Sequence, residues 1–189
     1  MKSKIPTDRY FRQCVGIDVS KNKFTACMCM LSWGCPAQFT EPIEFVNTKT
    51  GFNQLVKWAR KEAEKGQPLL FLMEPTGTYY EDLAYHLHKL SFTVFVIPPG
   101  RVHAFFKEEG IKTKTDFVDA RGLALMGSCK PALKEWNPPS RAYRELRQLT
   151  RLQVHFKDIR TMLINHKEAL SHQHAPSPDA VSQINALIK

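Results

Sequence analysis

Four carboxylates in this chain stand where an acid is costly unless it serves something. Asp18 falls within Gly16-Ile17-Asp18-Val19-Ser20-Lys21. On a strand, Val15, Ile17 and Val19 face one way, so Asp18 faces the other, beside Gly16. An acid inside a strand that reads as buried is unfavourable unless something pairs with it. Glu74 follows the apolar run Leu69–Met73 and precedes Pro75, which keeps it extended and stops the ladder. Its side chain is therefore expected at the carboxyl end of a central strand, where sites gather in open α/β sheets. Asp116 and Asp119 are three apart at the start of a predicted helix, on one face. Their like charges repel unless a cation lies near; the alternative is a solvated acidic first turn favoured by the helix dipole. Hard oxygen ligands on two strands and a helix suit Mg²⁺ or Mn²⁺. Two such ions about 4 Å apart can activate a nucleophile and stabilise a leaving oxygen in phosphodiester chemistry. Asp18, Glu74, Asp116 and Asp119 are thus candidate metal ligands and catalytic residues.

Basic residues accompany the acids. Lys112 and Lys114 lie just before Asp116, with Arg101, His103 and Lys107 upstream. These could hold a phosphate backbone, or form a solvated basic loop. Lys21 and Arg121, which flank the acids, complete the candidate nucleic-acid contacts. The chain of 189 residues carries a net charge of +9. That surplus fits a polyanionic partner, most simply nucleic acid, and fits a merely basic soluble protein equally well. The five cysteines are Cys14, Cys27, Cys29, Cys35 and Cys129, and no secretory signal is read in the polar stretch from Met1 to Tyr10. A reduced cytoplasmic setting is expected. Cys27 and Cys29 would point the same way on a strand, but a zinc site needs a second ligand pair, and His172 and His174 lie in a distant tail. Buried free thiols are expected instead. No apolar run approaches the length of a bilayer, so no membrane partner is expected.

The elements that must position the acids can be read from periodicity. Cys14 to Val19 reads as a buried strand, Lys21-Asn22-Lys23 as a turn, and Phe24 to Leu31 as a second strand with Phe24, Ala26, Met28 and Met30 on one face. Phe39 to Val46 is a third strand candidate, with Pro42 marking an edge or irregularity. Phe52, Leu55, Val56 and Ala59 recur at helical spacing, and Gly66 is expected to stop that helix. Leu69 to Met73 suits a central strand. Thr78 and Glu81 predict a capping box for a helix to about Leu90. Phe92 to Ile97 is a further strand, and helices are expected over Arg101 to Glu109 and Asp116 to Ser128. This is a mixed α/β pattern in the order of the ribonuclease H-like fold. The first domain is expected over 1–135, with a linker at 136–140, Trp136-Asn137-Pro138-Pro139-Ser140. Leu149, Leu152, Phe156, Ile159, Leu163, His166 and Leu170 then form an a/d seam with one polar position. A coiled-coil helix is expected within 141–175, over a core helix packed on the first domain. A further helix begins within 176–189.

The segments GIDVSK (Gly16 to Lys21), EPTG (Glu74 to Gly77) and KTDFVDAR (Lys114 to Arg121) resemble the three signature blocks of the DEDD transposases of insertion sequences. Their order and spacing match that family's RuvC-like N-terminal domain, from about Cys14 onward, and the heptad helix resembles its coiled-coil segment. The resemblance implies a ribonuclease H-like (RuvC-like) mixed sheet with flanking helices, followed by a long coiled-coil-type helix. It implies that Asp18, Glu74, Asp116 and Asp119 are an acidic tetrad holding Mg²⁺ or Mn²⁺. It implies DNA transposition and recombination, with DNA and a guide RNA encoded by the element as partners, in a prokaryotic, nucleoid-associated setting. It also implies self-association, or association with full-length protomers, through the 141–171 helix.

The family's second domain supplies a nucleophilic serine, and nothing after Ser171 resembles it. A truncated or partial form, unable to complete strand exchange alone, is therefore expected. It would be a fragment, a frameshifted copy or one half of a split protein. A catalytically inactive nucleic-acid-binding relic or regulator is the alternative. An actin-like ATPase or kinase also places Gly-x-Asp after a strand, but it needs a second glycine-bearing phosphate loop, and the nine glycines here are not so arranged.

Overall fold

A computed structural model describes residues 12–32, 34–113, 115–130 and 132–188. It divides into two compact units, Met1–Asn137 and Pro138–Lys189. The first is built on one mixed sheet. Strand β1 (Arg12–Val19) pairs antiparallel with β2 (Lys23–Leu31), so the intervening turn reverses the chain. The short strands β3 (Gln38–Phe39) and β4 (Ile43–Val46) both pair antiparallel with β2. On the other side of β1, β5 (Leu69–Met73) and β6 (Thr93–Val96) run parallel, giving the order β3-β2-β1-β5-β6 with β4 also on β2. Helix α1 (Lys49–Glu62) precedes β5, α2 (Glu81–Lys89) precedes β6, and α3 (Pro99–Glu108) and α4 (Asp116–Cys129) follow. An antiparallel hairpin extended by parallel strands through helical crossovers is the ribonuclease H-like arrangement expected from the element order.

Strand alternation decides the two faces. Val15, Ile17 and Val19 join Phe24, Ala26, Met28, Phe71, Met73 and Val94 in a core closed by Phe52, Leu55 and Ala59 of α1 and Leu83 and Leu87 of α2. Each fully buried aromatic or branched side chain there contributes about 1.5–3 kcal/mol through apolar burial. The opposite face carries Cys14, Leu70, Leu72 and Phe95, covered by Val102 and Phe105 of α3 and Leu123 and Met126 of α4. Asp18 shares this second face with Gly16 and Cys14.

Helix α4 lies unusually close to β1 because glycine lets it. A Cβ on Gly16 would fall onto the backbone of Ala120 and Ala124 and 2.7 Å from the carbonyl carbon of Leu123. A Cβ on Gly127 would likewise overlap the Cys14 thiol. Ala120 and Ala124 are small enough to complete the seam, and the Ser128 hydroxyl donates 3.2 Å to the Cys29 carbonyl across it. The start of α4 is fixed by Thr115, whose hydroxyl accepts from the Val118 amide at 3.2 Å.

The structure departs from the sequence expectations in several places. The single third strand becomes β3 and β4, because the Met28 amide donates 3.0 Å to the Thr40 hydroxyl where a continuous ladder would continue, and Pro42 lies in the gap. Helix α1 ends at Glu62, before Gly66, which instead takes φ +82° in the turn to β5. The predicted Thr78 cap gives way to a turn: α2 starts at Glu81, and Tyr80 occupies the cap position with no side-chain cap bond. Helix α3 starts two residues early, at Pro99, whose fixed φ suits a first helical position.

The second unit contains α5 (Arg141–Ser171), capped by the Ser140 hydroxyl accepting from the Tyr143 amide at 3.2 Å. None of its 31 residues is buried, and Leu149, Leu152, Phe156 and Ile159 expose an apolar stripe. Helix α6 (Pro178–Ile188) follows and buries Ile184.

Replacing Gly16 with Ala is expected to cost about 2–3 kcal/mol or more through overpacking. By circular dichroism the melting midpoint of the protein should fall by roughly 6 °C or more. An unchanged midpoint would show that α4 does not rest on β1 at Gly16.

Candidate functional site

The four acids come from three elements that meet at one end of the sheet. Asp18 lies one residue past Ile17, which pairs in register with Met73; Glu74 follows Met73 directly. Parallel neighbours in register point the same way, so Asp18 and Glu74 leave adjacent strands on the face that α4 covers. Helix α4 begins with Asp116 and brings Asp119 into its first turn. Asp18, Glu74 and Asp119 are half-buried, and each has interaction partners. Asp116 is more open, at 56% exposure.

The two α4 acids face different neighbours. Asp119 and Glu74 line one groove of about 760 Å³, with α3 as its opposite wall. Asp116 turns towards β2, where its Oδ2 lies 3.8 Å from the Lys23 ammonium. Among the described residues, no three His, Cys, Asp or Glu side chains are gathered as a preformed metal cluster.

The groove has a basic and apolar far wall. His103, Lys107 and Lys112 line it together with Pro99, Val102, Phe106 and Ile111. Gly122 allows this wall to close on α4, because a Cβ there would sit 2.6 Å from the Phe106 ring. The other basic candidates are distributed differently. Arg101 lines a separate hollow with Phe105, Glu108 and Lys130. Arg121 stacks its guanidinium 4.1 Å over the Phe39 ring, on the β3 side of α4. Lys21 is exposed in the β1–β2 turn. Lys114 lies outside the described residues.

Two residues near the acids escaped the sequence reading. Lys23 was read as a turn residue, but it begins β2 and donates 2.8 Å to Glu44 Oε1. That hydrogen bond first, and the charges of Glu44 and Asp116 after it, hold the ammonium above its ordinary pKa. The hairpin register was the available signal: Thr25 pairs with Asp18 and also with Glu44, which puts Lys23 on the face of the acids. Asn47 ties the two loops at the site. Its amide donates 2.9 Å to the Ser20 carbonyl and 3.1 Å to the Tyr79 carbonyl. No periodicity announces such a bridge, because it depends on chain segments 27 and 32 residues apart meeting in space.

The thiols take no part. Cys14, Cys27 and Cys29 are buried and free, while Cys35 and Cys129 are exposed and free. Burial pushes Cys27 and Cys29 up to about 11 and Cys14 higher still, so thiolate ligands are disfavoured. The donors beside the groove are therefore carboxylate oxygens, with the His103 imidazole on the far wall, and the carboxylates fit a hard divalent cation such as Mg²⁺ or Mn²⁺.

A ribonuclease H-like sheet carrying acids at the ends of β1 and the central strand β5, with more on helix α4, defines the class of domain. The chain belongs to the IS110-type DEDD transposase family, whose sequence profile, described as a transposase, matches residues 15–176. It is 34% identical over 163 residues to the pilin gene-inverting protein of Moraxella bovis and, to the same extent, to that of Moraxella lacunata. Each alignment covers 83% of this chain and 47% of the relative, so the chain spans about half the length of the curated relatives it matches. Among solved structures it is similar to Thermus thermophilus RuvC, with a TM-score of 0.47 and 13% identity over 66% of this chain and 99% of that one. Among the described residues, no helix is long and apolar enough to cross a membrane.

Proposed function

We propose that this chain is the metal-dependent, DNA-processing domain of an insertion-sequence transposase, acting in DNA transposition and recombination under the guidance of an RNA. The observation that carries the reading is that Glu74, from a strand end, and Asp119, from a helix start, share one groove with His103, Lys107 and Lys112. Asp18 leaves the strand beside Glu74 on the same face. Family membership supports the reaction class, and the relatives are named for inverting a gene segment.

Asp18, Glu74, Asp116 and Asp119 would hold Mg²⁺ or Mn²⁺, whose positive charge would offset their mutual repulsion. Bound by these acids, a divalent cation would supply Lewis-acid polarisation of a phosphodiester oxygen and would stabilise charge on the leaving oxygen. Lys107 and Lys112 neutralise and place the phosphate backbone along the α3 wall, which positions the strand without reading its sequence. Phe106, Val102 and Pro99 narrow the groove with apolar surface, which strengthens each electrostatic contact beside it.

The acids and the basic wall should separate experimentally. In wild-type protein, calorimetry should detect Mg²⁺ or Mn²⁺ binding, and affinity for duplex DNA should fall with salt. Asp119→Asn should weaken the metal and leave the DNA salt dependence intact. Lys107→Gln with Lys112→Gln should do the reverse, flattening the log–log salt slope by about two. Metal binding that survives Asp119→Asn unchanged, or a DNA affinity indifferent to salt in the wild type, would contradict the proposal.

The apolar stripe of α5 supports self-association, or association with a full-length protomer, with His166 as the polar seam position. Phe156→Asp with Leu163→Asp should convert a dimer to monomer in light scattering. A wild-type chain that is monomeric at high concentration would refute self-association.

A further inference from the structure

We infer that Lys23 is a positioning residue that holds Asp116 in the metal-free protein and competes with a divalent cation for it. The inference rests on the metal reading of the four acids. Lys23 starts β2 two residues before Thr25, which pairs with Asp18, so its side chain rises on the α4 face. Its ammonium makes two unequal contacts. The one to Glu44 Oε1, at 2.8 Å, is a charge-assisted hydrogen bond. The one to Asp116 Oδ2, at 3.8 Å, is a looser ion pair. Glu44 lies diagonally across the β2–β4 pair, because its register partner is Thr25. Strand β4 therefore anchors the ammonium beside the first residue of α4, and the pair with Asp116 can open without releasing Lys23 from Glu44.

Asp116 and Asp119 meet different neighbours although three residues apart on one helix face. Asp119 lines the groove with Glu74, while Asp116 answers Lys23 across the hairpin. An ammonium and a divalent cation seek the same carboxylate, and each repels the other when both are close. Their occupancies of Asp116 are linked, and the linkage is reciprocal. Lys23 thus lowers metal affinity, neutralises Asp116 when the site holds no ion, and gives the fourth ligand a defined resting place. Exposed ion pairs of this kind are individually weak, so the latch yields to a divalent ion.

The test is Mn²⁺ titration calorimetry at about 0.15 M salt and fixed pH on the whole chain. Lys23→Gln should tighten Mn²⁺ binding about three- to ten-fold, the size expected for removing one charge close to a divalent ion. Lys21→Gln removes the same charge from the exposed neighbouring turn and should change affinity less than about two-fold. Glu44→Gln frees Lys23 to close on Asp116 and should weaken binding about three-fold, again by the Coulombic scale. Most of that loss should vanish when Glu44→Gln is made in the Lys23→Gln background, because the latch it acts through is gone. Equal Mn²⁺ affinities for wild type and Lys23→Gln would overturn the latch while leaving the metal reading intact. Undetectable Mn²⁺ binding by wild type and Lys23→Gln alike would overturn both. Equal tightening by Lys21→Gln and Lys23→Gln would reduce the effect to general charge and overturn the latch.

Discussion

The first unit depends on a contact that only glycine permits. Helix α4 lies with its backbone against Gly16, and the overlap a Cβ would make with Ala120 and Ala124 shows that no other residue could hold that spacing. Gly127 over Cys14 repeats the contact about one to two turns along the helix. Together they fix the position of α4 along β1 as well as its height above the sheet. The acidic first turn of α4 is thereby set beside the strand ends that carry Asp18 and Glu74. A helix standing off by the bulk of ordinary side chains would lift Asp119 out of the groove it shares with Glu74.

That spacing concentrates negative charge, and the surrounding residues read as responses to it. The N-terminal end of α4 favours acids through its dipole and through the Thr115 cap. Lys23 answers Asp116 on the hairpin side, while His103, Lys107 and Lys112 stand opposite Glu74 and Asp119 on the α3 side. Asn47 stitches the β1–β2 turn to the loop after Glu74, which keeps the two strand ends from separating under the repulsion.

Much of the sheet was legible because each strand announces its faces. The alternation of Val15, Ile17 and Val19 places Asp18 on the opposite face, and the unbroken run from Leu69 to Met73 marks a strand covered on both sides. The acids were legible for the same reason: an acid in such a strand, or before a proline at its end, needs explaining. The reason for Gly16 was not legible, since a glycine beside an aspartate looks the same whether it serves a turn or a helix lying against it. The divergence of Asp116 from Asp119 was also hidden. Asp116 meets Lys23, whose place depends on hairpin register, while the sequence shows only a polar turn. That the helix carries Arg121, a candidate nucleic-acid contact, round to the Phe39 ring is likewise not visible in the sequence. The break at Pro42 was marked, but the way Thr40 substitutes its hydroxyl for a ladder partner depends on the β2 edge it meets.

The central claim is that α4, seated on Gly16, turns acids from three elements into one cation site. Anomalous scattering from crystals grown or soaked with Mn²⁺ tests it most directly. The account predicts a peak beside the groove, with carboxylate oxygens of Asp18, Glu74 and Asp119 at about 2.0–2.4 Å and Asp116 drawn away from Lys23. A peak elsewhere on the molecule, or Asp18 and Glu74 found on opposite faces of the sheet, would contradict it.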